Sequence, residues 1–242
     1  MTSSVRIVTY NFLGGGSAAR DAWKAIARLK PDIVLGQECR QPPAGHQCKA
    51  SLWAQAAPRR WGTGFFLTRG EIRPLEVRGF AGWIAGGELA PDLWLTDRPL
   101  RAFSIHCPVG ERGYVKTMHA ILDALAPVAA GADVVLGGDF NVAAGVRGRR
   151  DRVSFSKGER LLLERLADEF ELMPCWQTMH PRTPLAQTLR WVGNRATPYH
   201  CDGIFAPRAW RSRLARCEVI AGRGWDALSD HNPVVADFVG RP

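Results

Sequence analysis

The stretch Val135-Leu136-Gly137-Gly138-Asp139-Phe140-Asn141 decides how the rest of the chain is read. It has the form of a buried strand that stops on polar residues, the place where functional groups are commonly mounted. Period-two alternation would put Asp139 and Asn141 on one face and send Phe140 into packing. Gly137 and Gly138 would let the backbone turn closely around a bound group. A carboxylate beside an amide can polarise a water and hold its other hydrogen. Taken alone, the stretch fits an ordinary Asx turn equally well.

Other apolar runs end in the same manner. Val8-Thr9-Tyr10 stops at Asn11, Ile33-Val34-Leu35-Gly36-Gln37 at Glu38, and Phe103-Ser104-Ile105 at His106. Leu228-Ser229-Asp230-His231-Asn232-Pro233 sets a carboxylate beside an imidazole, and Tyr199-His200-Cys201-Asp202-Gly203-Ile204-Phe205 places a further carboxylate at a strand start. Each has a plain structural reading: a solvated strand end for Glu38, a core imidazole for His106, strand caps for Asp230 and His231. The oxygen-rich set favours a hard cation, Mg²⁺ or Mn²⁺, over zinc.

The order Thr9-Tyr10-Asn11, Gly36-Gln37-Glu38, Ser104-Ile105-His106, Gly138-Asp139-Phe140-Asn141, Cys201-Asp202-Gly203-Ile204-Phe205, Ser229-Asp230-His231 resembles the endonuclease/exonuclease/phosphatase (deoxyribonuclease-I-like, exonuclease III-related) superfamily from residue 5 to residue 239. That resemblance implies a metal-dependent phosphoesterase. Glu38 would be the principal metal ligand, helped by Asp230 and by Asn11. Asp139 would orient or deprotonate the attacking water, with Asn141 holding water or a phosphate oxygen. His231, paired with Asp202, would stabilise phosphoryl charge or move a proton, and His106 would contact the phosphate or the leaving oxygen. Two departures stand out: Gly203 follows Asp202 where many repair nucleases have a large aromatic, and Asn11 runs into the glycine-rich Phe12-Leu13-Gly14-Gly15-Gly16.

Outward from these motifs, strands are expected at Val5–Tyr10, Asp32–Leu35, Gly64–Thr68, Leu93–Thr96, Ala102–His106, Asp133–Leu136, Thr188–Val192, Cys201–Phe205, Cys217–Ile220 and Val234–Phe238. Helical spacing covers Ala18–Leu29, Val115–Ala126 and Lys157–Leu172, with a short helix at Ser51–Ala57. Ser156 and Glu159 form a capping box ahead of the third of these. Many strands with few helices predict an α+β, four-layer α/β/β/α sandwich of two mixed or antiparallel sheets. With no repeat and no linker, residues 1–242 read as one domain.

The chain has 242 residues, 46% of them hydrophobic, and a net charge of +9 carried mostly by arginine. No stretch approaches the roughly 20 apolar residues of a membrane span, and the start does not read as a secretory signal, so a cytoplasmic location is expected. Six scattered cysteines read as reduced, mostly buried small hydrophobic residues; alternation should turn Cys39, Cys107 and Cys201 away from the site. Positive charge favours polyanionic partners. Arg147, Arg149, Arg150 and Arg152 form a basic arm after Asn141, and the resemblance implies that Trp191 sits where nucleases of this type present an aromatic residue near the scissile nucleotide, where it would stack on a base; a solvated loop and core packing are the plain alternatives. Nucleic acid is thus the expected substrate, with no obligate protein partner. A small-molecule or lipid-headgroup phosphoester is the alternative, and a catalytically inactive binding module is the third reading.

Overall fold

The computed structural model describes residues 4–46, 48–90, 97–111, 113–148 and 153–240. The first sheet contains β1 (Ser4–Asn11), β2 (Ile33–Cys39), β3 (Ala50–Gln55), β4 (Gly62–Leu67), β11 (Leu214–Val219) and β12 (Val234–Val239), in the order β11-β12-β1-β2-β4-β3. The second contains β5 (Ile72–Leu75), β6 (Ile84–Leu89), β7 (Leu100–His106), β8 (Asp133–Asp139), β9 (Leu172–Pro174) and β10 (Asp202–Pro207), in the order β5-β6-β7-β8-β10-β9. Each is mixed: β1 pairs parallel with β2 and β7 parallel with β8, while the other pairings are antiparallel.

Alternation along these strands builds the layers. Val5, Ile7, Ile33, Leu35, Phe65 and Leu67 face Ala85, Leu100, Ala102, Val135 and Ile204 across the gap between the sheets. The intervening Val8, Tyr10 and Val34 face outward onto Trp23 and Ile26 of α1 (Ala19–Arg28). On the far side, Phe103, Ile105, Val134 and Leu136 meet Met118, Ile121 and Leu125 of α2 (Gly113–Ala129) and Leu162 and Leu166 of α3 (Lys157–Asp168). The result is the expected four-layer α/β/β/α sandwich. Two short helices, α4 (Cys175–Met179) and α5 (Arg223–Asp226), complete the α-helices of the described residues.

Near the site the dry core gives way to a polar stitch between the sheets. Gln37 Nε2 donates to Ser104 Oγ at 2.9 Å, Ser104 Oγ donates to the carbonyl of Gly36 at 3.1 Å, and Thr9 Oγ1 lies 3.2 Å from Gln37 Oε1. Buried hydroxyls and amides satisfied in this way fix the relative height of β1, β2 and β7, whose ends carry Asn11, Glu38 and His106.

Several expectations are corrected. Ser51–Ala57 is not a helix: Ala50–Gln55 pairs with the next strand, β4, in unbroken antiparallel register, and that hairpin ladder overrides weak helical spacing. The helix from Lys157 ends at Asp168, not Leu172, because Leu172 and Met173 are taken by the ladder to β10. Thr188–Val192 forms only isolated bridges, from Leu189 to Tyr199 and to His231. The capping box is present, with Glu159 N donating to Ser156 Oγ at 3.1 Å and Ser156 N to Glu159 Oε2 at 2.9 Å. The strand expected at Leu93–Thr96 lies outside the described residues.

Candidate active site

Five strands deliver the polar residues to one end of the sandwich. In the second sheet the ladder itself aligns them: His106 is opposite Asp139, and Asp139 is opposite Asp202. In the first sheet, β1 ends on Asn11, and β2 reaches Glu38 through an irregularity between Gly36 and Cys39 where Glu38 takes a left-handed backbone with φ 46°. A bulge of this kind re-aims a side chain that regular alternation would place elsewhere.

Asn11 is the hinge between the sheets. Its Nδ2 donates to Asp139 Oδ2 at 3.0 Å and to Glu38 Oε1 at 3.3 Å, and its Oδ1 accepts from Leu13 N at 2.9 Å. Asp139 also accepts from the backbone N–H of Asn141 at 3.0 Å. Asn141 does not extend the strand. It sits beyond the end of β8 with φ 52°, and its amide donates to the carbonyl of Cys107 at 3.0 Å and reaches Asp139 Oδ2 at 3.4 Å. The same-face argument therefore fails past Asp139, although a turn brings the two side chains together. Phe140 is buried against Phe205, as expected.

The two glycines before Asp139 also serve a different end. A Cβ on Gly138, whose φ is 155°, would lie 1.8 Å from the carbonyl oxygen of Ile105, and one on Gly137 would lie 2.5 Å from Leu35 Cδ1. They allow β8 to approach β7 and the opposite sheet closely; they do not line space for a bound group.

His231 and Asp202 form a buried pair, with Nδ1 of the imidazole 2.9 and 3.0 Å from the two carboxylate oxygens. The other ring nitrogen, Nε2, faces Asp230 Oδ1 at 3.8 Å and Asp139 Oδ2 at 3.9 Å. Burial alone disfavours the imidazolium, but the carboxylates of Asp202 and Asp139 outweigh it and push the pKa up to about 10. Burial pushes the Asp139 carboxyl up, with Asp202 adding to the effect. Glu38 is raised chiefly by burial, with Asp139 and Asp230 adding to it against the hydrogen bond from Asn11. His106 is lowered by burial; its Nε2 lies 3.7 Å from both Glu38 Oε1 and Asp139 Oδ2.

Asp230 Oδ1 is buried without a hydrogen-bond partner. An orphaned carboxylate oxygen near crowded, proton-seeking carboxyls suits a hard divalent cation, which would satisfy the one and relieve the other. Among the described residues, donor atoms of Asp139, Cys201, Asp202 and His231 also lie within 4.8 Å of one another. There the Asp202–His231 hydrogen bond already occupies two of the four donors.

Cys201 is thereby a correction. Cys39 and Cys107 turn into the cores, but Cys201 Sγ lies 3.5 Å from Asp202 Oδ2. It precedes β10, so strand alternation does not govern it. Two positioning residues were absent from the sequence reading. Thr188 Oγ1 accepts the backbone N–H groups of Cys201 at 3.0 Å and Asp202 at 3.1 Å. Arg190 bonds the carbonyl of Ser229 at 2.6 Å and the amide oxygen of Asn232, gripping the segment that carries Asp230 and His231. Ser229 itself donates to the carbonyl of Asn11 at 2.8 Å and accepts from His231 N at 3.1 Å.

Beside this centre lies a pocket of about 450 Å³ lined by Tyr114, Asn141, Arg147, Trp191, Tyr199 and Cys201, among others. Trp191 is 50% exposed and edge-on to Tyr199, so it is not a core residue. Arg149, Arg150 and Arg152 lie outside the described residues. Among the described residues no helix is long and apolar enough to cross a membrane.

Comparison with curated protein sequences finds no match. Among solved structures, the chain is similar to an AP endonuclease from Leishmania major, at 15% identity and a TM-score of 0.73, covering 99% of this chain and 89% of that one. It is also similar to an AP endonuclease from Archaeoglobus fulgidus, at 17% identity and a TM-score of 0.70, covering 97% and 99%. At such identities the likeness is one of fold. The sequence pattern of one family matches residues 8–231, and the chain belongs to that family, the endonuclease/exonuclease/phosphatase family.

Proposed function

We propose that the chain is a Mg²⁺- or Mn²⁺-dependent hydrolase that cuts phosphodiester bonds, with nucleic acid as its substrate. The observation that carries this reading is the convergence of Glu38, Asp139, Asp230, Asn11 and the Asp202–His231 pair at one end of the sandwich. Membership of the family and the fold shared with two AP endonucleases support the same reaction class.

Glu38, steadied by Asn11, and Asp230 would hold the cation, which when bound supplies Lewis-acid polarisation of a phosphoryl oxygen. Asp139, fixed by Asn11 and the N–H of Asn141, orients a water and takes its proton as the water oxygen bonds to phosphorus. Its buried carboxyl, already raised, is suited to that acceptance. The opposite P–O bond breaks, and the leaving oxygen is protonated from solvent. His231, kept as imidazolium by Asp202, places positive charge where the phosphoryl oxygens gain negative charge. His106, whose pKa is lowered, would be neutral near pH 7 and would contact a phosphate oxygen as a hydrogen-bond donor. The basic arm beginning at Arg147, together with Trp191, would bind flanking nucleotides.

The pocket lined by Trp191, Tyr199 and Arg147 has room for a small aromatic phosphoester, which favours a small-molecule phosphodiesterase as the second reading. Labelled DNA, RNA and a panel of small phosphoesters, each incubated with purified protein and Mg²⁺ or Mn²⁺, separate the two. Cleavage confined to the small esters would overturn the nucleic-acid assignment.

A further inference from the structure

The side of the cleft away from Asp202 and His231 carries a feature for which the hydrolytic scheme has no use. Glu38 lies one residue before the end of β2 and His106 ends β7; Trp61 immediately precedes β4, the neighbour of β2, and Trp83 immediately precedes β6, the neighbour of β7. Each tryptophan thus stands one strand outward from a site residue. Asp202 lies on β10, beyond β8, and His231 just ahead of β12, beyond β1, both on the other flank. Trp191 belongs to that other flank, since its neighbour Leu189 bridges His231 and Tyr199.

The two indoles and the imidazole form one aromatic cluster. Trp61 and Trp83 meet edge to face at 5.5 Å, and each ring centre is 5.3 Å from that of His106, whose Nε2 is 3.7 Å from Glu38 Oε1. The backbone holds them in place: His106 N donates to the carbonyl of Trp83 at 2.8 Å, and Ala56 N to that of Trp61 at 3.0 Å. Gly14, with φ 73°, lets the glycine-rich turn lie against Trp61, where a Cβ would stand 3.3 Å from the indole. Neither indole is buried in the core; both remain partly open to solvent. The Arg59 guanidinium is 5.9 Å from the Trp61 ring centre, and Arg59 and Arg60, which immediately precede Trp61 in the sequence, are both exposed.

Aromatic faces interleaved with arginines suit a single-stranded polynucleotide, whose bases stack on the rings while its phosphates meet the cations. In a duplex the base faces are covered by their neighbours. We propose that Trp61 and Trp83 form a stacking platform for an unpaired nucleobase next to the cut phosphodiester, so that the preferred substrate is a polynucleotide unpaired on the Glu38 side of the site. This rests on the polynucleotide reading above and goes further in naming the strand state and the residues that select it.

A side-chain-by-base cycle tests the platform. Equilibrium binding is measured in chelator, so that nothing is cut, for wild type, Trp61→Ala, Trp83→Ala and Trp61→Phe. The ligands are a labelled single strand, the same strand with one base at a time replaced by hydrogen, and the matching duplex. The alanine variants should bind the single strand about 5- to 150-fold more weakly, the range for loss of one stacked base. Removal of the base at one particular position should abolish that difference, the duplex should show little of it, and Trp61→Phe should recover most of the affinity. Undiminished affinity in both alanine variants, or the same loss whichever base is missing and on the duplex, would overturn the platform and leave Trp61 and Trp83 as packing for His106. If wild type binds no polynucleotide yet hydrolyses a small phosphodiester, the polynucleotide reading falls and takes the platform with it. If wild type binds and cuts single strands while the alanine variants bind as wild type does, the platform alone is lost.

Discussion

His231 Nδ1 lies between the two carboxylate oxygens of Asp202, at 2.9 and 3.0 Å, with both side chains almost wholly buried. A carboxylate set astride one N–H fixes the ring orientation and the proton on Nδ1, and it leaves Nε2 directed at Asp139 and Asp230. The arrangement makes His231 a cation at neutral pH, with a pKa near 10 in place of the usual 6.5.

Because the folded state holds this proton more tightly than the unfolded chain, the pair stabilises the fold fully below pH 6.5, and the gain disappears as pH rises through about 10. Denaturation in chelator across that range should show stability falling with pH in the wild type and a flatter profile in Asp202→Asn. The same substitution should lower turnover by about 10²–10⁴ and move the alkaline loss of activity to lower pH. An alkaline limb that stays where it is in Asp202→Asn would detach His231 from the reaction.

The carboxyls of Glu38 and Asp139 are raised, first by burial and then by neighbouring carboxylates. Protons and a divalent cation should therefore compete for the site. Mg²⁺ should raise the melting temperature of the wild type, with stabilisation of about 2.7 kcal/mol at a hundredfold excess over Kd, and less as pH falls. Glu38→Gln should lose most of that shift and most of the activity, and a chelator should abolish turnover until Mg²⁺ or Mn²⁺ is restored. An identical Mg²⁺ shift in Glu38→Gln would place the cation elsewhere.

What the sequence reveals about this site follows from how far regular alternation reaches. Asn11, His106 and Asp139 are visible because each closes an apolar run that is a strand in the structure, and the paired ladders bring those ends to one level. Asn141 and Cys201 lie just outside a ladder, so alternation placed neither correctly. Glu38 is legible as a strand end, but the irregular pairing and left-handed backbone that aim it are not. Thr188, Arg190, Trp61 and Trp83 join the site only through contacts between segments far apart in sequence, and nothing local marks them. Ser51–Ala57 differs: its strand comes from the hairpin ladder with the neighbouring β4, which weak helical spacing does not reveal.

The close approach of β8 to β7 makes a stability prediction independent of catalysis. Gly138→Ala would drive a methyl to 1.8 Å from the Ile105 carbonyl at a backbone φ of 155°, and no flexible side chain is there to yield. It should cost about 3–5 kcal/mol, the upper end of single-substitution effects. Gly224→Ala, where a Cβ meets nothing within 4 Å, should be neutral or slightly stabilising. Denaturant midpoints of the two variants check this, and a Gly138→Ala protein as stable as wild type would mean that β7 and β8 are not packed this closely.

The arm that begins at Arg147 provides a test of polyanion binding away from the chemistry. Arg147 lines the pocket beside Asn141, and the sequence continues with Arg149, Arg150 and Arg152, three further cations within five residues. If these side chains contact phosphates, each one releases counterions on binding, and the logarithm of affinity falls with the logarithm of salt by about 0.7–0.9 per contact. Replacing all four with serine should weaken polynucleotide binding and flatten that dependence by the corresponding amount. Turnover of a small phosphodiester that reaches neither the arm nor the pocket lined by Arg147 should change little, because no arginine of the arm is assigned to the water or to the leaving oxygen. Affinities measured at several salt concentrations for wild type and the fourfold variant decide the matter. Parallel lines would show that the arm's charge serves solubility alone, and the small-ester reading would then account better for the pocket beside Asn141.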